Sequence, residues 1–371
     1  MPTSHRSKAL ARSRERGLDF FSFSRQRHQT HYITARSNRR RDPLALFTEL
    51  ASSVRERDAT IVSQTVFGGR SLAARGLAAL GEAFGETTWP VTWLDGGSEL
   101  IGTQVSALSG AAVRTVQAGG RVVGSVFEDE HAKYCFLGGL ASPDASRARP
   151  DQVSDTFESM EDILGRMGMC FEHIVRTWLY VDDILGWYGE LNQARTRFFE
   201  ERNVFQHMMP ASTGIGVSNP AGSAVVAECF AVLPKSKDVS VYEVASPLQC
   251  EASDYKSSFS RAAEVVLPDH RRLYVSGTAS IGEDGATVHV GDVEAQIART
   301  MEVVRAILRS RGMDWGNVSR GVAYFRNIAD MPVFDRYCEE HGVPRGVLLE
   351  TPAVVCRDDL LFELEANAVA V

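Results

Sequence analysis

Apolar and polar residues alternate at period two over residues 121–127 and 132–137, and again over 258–267 and 272–277, which predicts two β-hairpins. The second turns at Pro268-Asp269-His270, a loop composition. After each hairpin the apolar period lengthens to that of a helix, over 153–167 and 292–311. In the latter, Ile297, Met301, Val304, Ile307 and Leu308 fall on one face, and Gly312 stops the helix just past Arg309 and Arg311. A strand (175–181; 319–325), a second helix (187–202; 331–341) and two closing strands complete each series. The order is ββαβαββ in both cases, with helices on one face of a mixed sheet: an α+β domain.

The two series are copies of one another. Ile163-Leu164, Gly168-Met169 and Arg176 fall on Ile307-Leu308, Gly312-Met313 and Arg320 at a constant shift of 144. Leu137-Gly138-Gly139-Leu140 answers Val275-Ser276-Gly277-Thr278 upstream, and Phe198-Phe199-Glu200-Glu201 answers Tyr337-Cys338-Glu339-Glu340 downstream. The expected organisation is a first repeat at 111–236 and a second at 244–371. Residues 43–110 stand outside the repeat as an added N-terminal element, with a helix near 43–57, strands near 61–66 and 91–94, and a turn at Gly96-Gly97.

Charge separates the start of the chain from the rest. Residues 1–42 carry 11 Lys or Arg against 3 Asp or Glu, so the remainder holds 29 basic against 44 acidic groups. An acidic body is a poor nucleic-acid partner. The basic start, from Ser4 to Arg16 and then Arg39-Arg40-Arg41, reads as a solvated, disordered tail or a transit segment. His28 and His31 have metal-like spacing but lie in that stretch, and no metal or other cofactor is expected. Six scattered cysteines without a CxxC pair suit free thiols in a reducing, cytoplasmic setting. No apolar run is long enough for a membrane helix.

The stretches Val275-Ser276-Gly277, Gly291-Asp292 with Gln296, and Phe362-Glu363-Leu364-Glu365-Ala366 resemble the YjgF-like (Rid) family over about residues 118–371. That resemblance implies domains that form trimers, with small carboxylates bound between neighbouring domains. A tandem pair on one chain resembles a narrower group, the chorismatases, through Arg176-Thr177-Trp178, Met209 to Gly216, Leu273 to Ile281, and above all Cys356 to Glu365. Chorismatases split the enolpyruvyl ether of chorismate to pyruvate and a ring product. Gly277 and Cys356 resemble the members that form 3-hydroxybenzoate. The chain departs from the group after Gly216, where Val217-Ser218-Asn219-Pro220 replaces an Ala-His-Gly continuation.

The resemblance directs attention to particular residues. Alternation puts Glu363 and Glu365 on one face of the last strand, either as a solvated acidic face or as an acid with a like charge beside it, which raises a carboxyl pKa. Aligning Glu228 with Glu365 places Val226 opposite Glu363, so one repeat keeps an active site and the other has a degenerate one. Cys356 is either a small buried hydrophobe or a shaper of the pocket. A carboxylate substrate calls for guanidinium partners, for which Arg202, Arg176 and Arg357 are candidates, each otherwise a surface charge. Thr213 and Gly214 would offer a hydroxyl and backbone N–H groups, and Gly277-Thr278 a close backbone approach. The expected enzyme is a lyase or hydrolase acting on a chorismate-like carboxylate, as a monomer or as a homo-oligomer such as a trimer. The alternatives are an enamine or imine deaminase, with Pro344-Arg345 as carboxylate holder, and a non-catalytic carboxylate-binding protein.

Overall fold

The computed structural model describes residues 10–25, 27–38, 42–255 and 257–371. It is α+β, with three mixed six-stranded sheets, each carrying two helices. The first unit runs β1 (Leu10–Glu15), β2 (Leu18–Ser24), β3 (Gln29–Arg36), α1 (Ala45–Glu56), β4 (Ala59–Gly68), α2 (Ala73–Phe84), β5 (Val91–Leu94) and β6 (Leu100–Ser109). The second runs β7 (Val113–Ala118), β8 (Arg121–Glu128), β9 (Ala132–Leu140), α3 (Arg149–Arg166), β10 (Ile174–Val181), α4 (Ile184–Glu201), β11 (Ala211–Gly216) and β12 (Val225–Pro234). The third runs β13 (Ser240–Val244), β14 (Ala262–Val266), β15 (Arg271–Ala279), α5 (Val293–Ser310), β16 (Val318–Phe325), α6 (Met331–His341), β17 (Leu348–Pro352) and β18 (Phe362–Ala370). The sheets have one topology three times: β1-β2-β3-β6-β4-β5, then β7-β8-β9-β12-β10-β11, then β13-β14-β15-β18-β16-β17.

Two expectations are corrected here. The tandem pair is a triplet, and each copy begins with an extra strand, giving βββαβαββ. The stretch expected as a basic tail forms β1, β2 and β3, and the stretch expected as an added element completes the same sheet. Arg14 is exposed, but other arginines of the stretch reach across to partners. Arg12 donates to the Val318 carbonyl at 2.6 Å, and Arg36 pairs with Asp19 at 2.9 Å and with Glu350 at 3.2 Å. Phe20, Phe21, Phe23 and Ile33 are buried, which supplies the apolar area that holds this sheet. Residues 1–9 and 39–41, including the Arg39-Arg40-Arg41 run, lie outside the described residues.

Both faces of the central strands are covered. Helices pack on one face, and the other meets the neighbouring sheets in a core that includes Phe67, Trp178, Tyr180, Tyr274, Val322 and Tyr324. Strands β10 and β16 are therefore buried at every position and read as continuous runs rather than alternating ones. The units contact each other cyclically. Thr65 of unit 1 donates to Glu228 of unit 2, Trp178 of unit 2 to Glu365 of unit 3, and Gln104 of unit 1 to the Gly321 carbonyl of unit 3. Beside the three hairpins, Arg25 after β2 reaches Asp129 after β8 and Asp269 after β14. His31 is satisfied within its own sheet, between Ser22 at 2.8 Å and Ser109 at 3.0 Å, and burial lowers its pKa to about 4. Among the described residues no cluster could hold a metal ion, and no helix is long and apolar enough to cross a membrane.

Candidate active site

A cavity of about 200 Å³ lies between units 2 and 3. From unit 2 it is lined by Tyr188, Asn192 and Arg195 of α4 and by Ser212 and Gly214 of β11. From unit 3 come Ser257, Phe259 and Arg261, then Gly277 and Ala279 of β15, then Cys356, Arg357 and Glu363. The two units are stitched together beside it. Ser260 donates its N–H to the Pro210 carbonyl at 3.1 Å, and Gly216 and Val354 exchange a pair of backbone hydrogen bonds at 2.7 and 2.9 Å.

The geometry of β15 makes room for the carboxyl. Val275 pairs with Ala366 and Thr278 with Leu364, so Ser276 and Gly277 both stand opposite Glu365 in a β-bulge. A Cβ on Gly277 would lie 2.2 Å from Glu363 Oε1, so the glycine opens the space the carboxyl occupies. Unit 2 has a corresponding bulge, with Gly138 and Gly139 opposite Glu228, whereas β3 pairs with β6 without one.

Glu363 is 4% exposed. Burial and the neighbouring Glu365 push its pKa up to about 8, against the opposing pull of Arg176. Its carboxyl thus keeps its proton near neutral pH. Glu365 lies deeper, hydrogen-bonded by Arg176 at 2.9 Å, Trp178 at 3.0 Å and Thr213 at 2.5 Å, all from unit 2. Cys356 lies in the segment between β17 and β18. Burial pushes its thiol up to about 12, so it is a neutral thiol and not a thiolate nucleophile.

The cations are distributed differently from expectation. Arg357 lines the cavity and donates to the Gly285 carbonyl at 2.7 Å. Arg176 is fully buried beneath it, against Glu365 and Thr213. Arg202 is outside: it pairs with Glu161 at 3.1 Å on the far side of α4, over the Phe198 ring, because it follows the helix's last turn, on the side facing α3. Thr213 reaches Glu365 rather than the cavity, and the Thr278 hydroxyl donates to the Ser276 carbonyl at 2.8 Å, so neither lines the cavity. Gly214 and Gly277 do.

Arg195 and Arg261 were not anticipated. They flank Phe259 at 5.7 and 5.8 Å, one from each unit, and with Arg357 place three guanidiniums around one protonated acid. Their signals were present in the sequence. Tyr188, Asn192 and Arg195 form a polar stripe at helical spacing on α4, and Ser257, Phe259 and Arg261 alternate at period two. Neither stripe points to the other until the units meet.

A bulged inner strand, a paired-glutamate strand and a cavity between neighbouring units thus come together in one α+β architecture. The Endoribonuclease L-PSP family model matches residues 255–370. A 3-aminoacrylate deaminase of Acinetobacter baylyi is 32% identical over 97 residues, 26% of this chain and 77% of that protein. A chorismatase of Streptomyces rapamycinicus is 29% identical over 233 residues, 55% of this chain and 66% of that protein. A 3-hydroxybenzoate synthase of Streptomyces hygroscopicus is 25% identical over 261 residues, 63% of this chain and 73% of that protein. A crystal structure of a chorismatase superposes with a TM-score of 0.63 at 18% identity, covering 83% of this chain and 93% of that one, and supports the fold. The chain belongs to the YjgF-like (Rid) superfamily.

Proposed function

We propose that this chain is a chorismatase-type enzyme, with Glu363 as the general acid. The observation that carries this reading is a buried, protonated carboxyl facing a small cavity ringed by Arg195, Arg261 and Arg357. Chorismate is a dianion, and guanidiniums from both units line the cavity and supply the positive charge its two carboxylates call for. Glu363 donates its proton to the terminal methylene of the enolpyruvyl ether. The ether carbon becomes an oxocarbenium ion. Captured by water, it forms a hemiketal that breaks to pyruvate and the ring diol. Captured by the neighbouring ring hydroxyl, it forms a cyclic ketal, which releases pyruvate when its bond to the ether oxygen and the adjacent ring C–O bond break and a ring proton leaves to give the aromatic phenol. General acid catalysis of this kind contributes about 10²- to 10⁴-fold.

The favoured products are pyruvate and 3-hydroxybenzoate, which together contain the atoms of chorismate with no net water. Capture by the ring's own hydroxyl suits a small cavity, because that group has no translational freedom left to lose. Cys356, as a neutral thiol, shapes the wall beside the ring and forms no covalent bond to the substrate. The deaminase reading has less support, since Arg345 pairs with Asp335 at 2.6 Å and Glu350 at 3.1 Å and does not line this cavity. With the three units contacting one another in a single chain, the enzyme works as a monomer. The test is incubation with chorismate, with pyruvate assayed and the ring products separated by chromatography. No pyruvate would end this reading, and a dihydrodiol as the sole ring product would end the 3-hydroxybenzoate assignment.

A further inference from the structure

The two glutamates of β18 have unequal surroundings. Arg176 Nη2 donates both to Glu365 Oε2 and to the Thr213 hydroxyl oxygen. With its oxygen accepting from Arg176, Thr213 turns its own hydrogen to Glu365 Oε2. The Trp178 indole N–H, which can only donate, takes Glu365 Oε1. Every partner of Glu365 is therefore a donor, which is the bonding pattern of a carboxylate and leaves no acceptor for a carboxyl proton. Arg176 is held against Trp178, 4.8 Å from its ring, and its Nε and Nη1 have no other partner, so the guanidinium is committed to this contact. All three donors belong to unit 2 and both glutamates to unit 3.

The unit 1–unit 2 boundary shows the arrangement without the clamp. Glu228, which occupies the place of Glu365, accepts from the hydroxyls of Thr65 at 2.9 Å and Tyr180 at 3.3 Å rather than from a guanidinium. Val226 stands where Glu363 would, and beside Gly139, the counterpart of Gly277, a Cβ would meet the Val91 carbonyl at 3.2 Å rather than a carboxyl. The guanidinium clamp thus occurs at the boundary that also has an acid and an open cavity.

We propose that Glu365 is a positioning residue for the acid: fixed as a carboxylate by Arg176, Trp178 and Thr213, it keeps the proton of the pair on Glu363, facing the cavity. This rests on Glu363 being the general acid. The other titratable or charged groups around Glu363 are Arg176 of β10, Tyr324 of β16, Tyr188 and Arg195 of α4, Arg261, Cys356 and Arg357.

The experiment is the pH dependence of kcat for pyruvate release by wild type, E365Q and E365D. Wild type loses turnover as pH rises through about 8. E365Q removes the like charge and leaves Arg176 uncompensated, and both changes favour ionised Glu363. Its alkaline limb moves down by a unit or more, so turnover at pH 7.5 falls at least about threefold and recovers towards wild type at low pH. E365D keeps the charge and the position of the limb, whatever its rate. An unmoved limb in E365Q, an equal loss at every pH, or a limb displaced alike in both variants overturns the proposal. A measurement without substrate separates this from failure of the chorismate reading, and does not depend on E365Q folding. The infrared difference between wild type and E363Q at pH 7 contains one protonated-carboxyl band if the proton sits on Glu363. Absence of that band overturns the proposal even where pyruvate is formed.

Discussion

At the residue scale the central quantity is the proton on Glu363. A group acting as an acid is active below its pKa, so turnover should hold through neutrality and fall above about 8. E363Q keeps the volume but cannot donate, and kcat should fall by at least 10²-fold, read as pyruvate release with the fold checked by circular dichroism. A loss under tenfold, about 1.4 kcal/mol in the barrier, would remove Glu363 from the role. Stability carries the same signature with a definite sign. Between the ordinary carboxyl range and about 8 the folded state holds a proton that the unfolded chain has released, so stability declines as pH rises through that window. E363Q should flatten that decline in thermal melts taken from pH 5 to 8. Gly277 is the second residue to test. Its backbone needs no special φ, but a Cβ there meets Glu363 Oε1 at 2.2 Å, so G277A must turn the carboxyl out of place. Turnover should drop about tenfold or more while Tm moves little, since the obstructing atom is the end of a side chain; combined with C356A, the ring products should move towards the dihydrodiol, read by chromatography.

At the scale of elements, α4 brings the unit 2 half of the site. It is an amphipathic helix whose Leu191, Ala194, Phe198 and Phe199 are buried in its own unit, while Tyr188, Asn192 and Arg195 turn to the cavity. Arg195 Nη2 donates to Asn192 at 2.6 Å, and Thr196 meets Ser258 at 2.7 Å, so the helix is tied to the segment bearing Phe259 and Arg261. R195M should raise KM for chorismate about 10- to 100-fold with a smaller effect on kcat, the pattern of a lost charge-assisted hydrogen bond that binds substrate and transition state alike. Steady-state kinetics decide it, and an unchanged KM would remove Arg195 from the carboxylate contacts. Gly277 and the Glu-x-Glu pair were legible beforehand, because each announces itself locally; that β15 pairs with β18 was not. The extra leading strands β1, β7 and β13 were not, since each is a short edge strand with little burial and weak alternation.

For the whole molecule, three copies of one topology contact one another cyclically, with unequal contents at the equivalent strand positions. Glu363 and Glu365 of β18 correspond to Val226 and Glu228 of β12 and to Gly102 and Gln104 of β6. One boundary out of three therefore keeps both carboxyls. Arg25 couples the units, its guanidinium buried between Asp129 and Asp269. R25M leaves Asp129 buried beside the remaining hairpins, and unfolding should become easier by about 3–5 kcal/mol, read from chemical denaturation. A change below about 0.5 kcal/mol would mean that Arg25 does not couple the units. Light scattering should give the mass of one chain at micromolar concentration, whereas a concentration-dependent trimer would show that the closed ring has a further partner.

The sequence by itself determined the repeat, the alternation of strands and helices in residues 111–371, and the candidate acid, because these depend on local period and on matching one stretch with another. It pointed to Arg357 through the Cys356–Glu365 stretch and misdirected attention to Arg202, whose charge is as visible in sequence as that of Arg195. Only the tertiary structure decided between them, since which side of α4 meets unit 3 is fixed by the packing of two sheets. The first unit was missed for a related reason. Its arginine-rich strands look like a solvated tail when read alone, and several of their charges find partners in Asp129, Asp269, Glu350 and the carbonyl of Val318, more than a hundred residues away. The same holds for the acid. Two glutamates on one strand are a local pattern, but which of them keeps a proton depends on burial and on donors from the neighbouring unit.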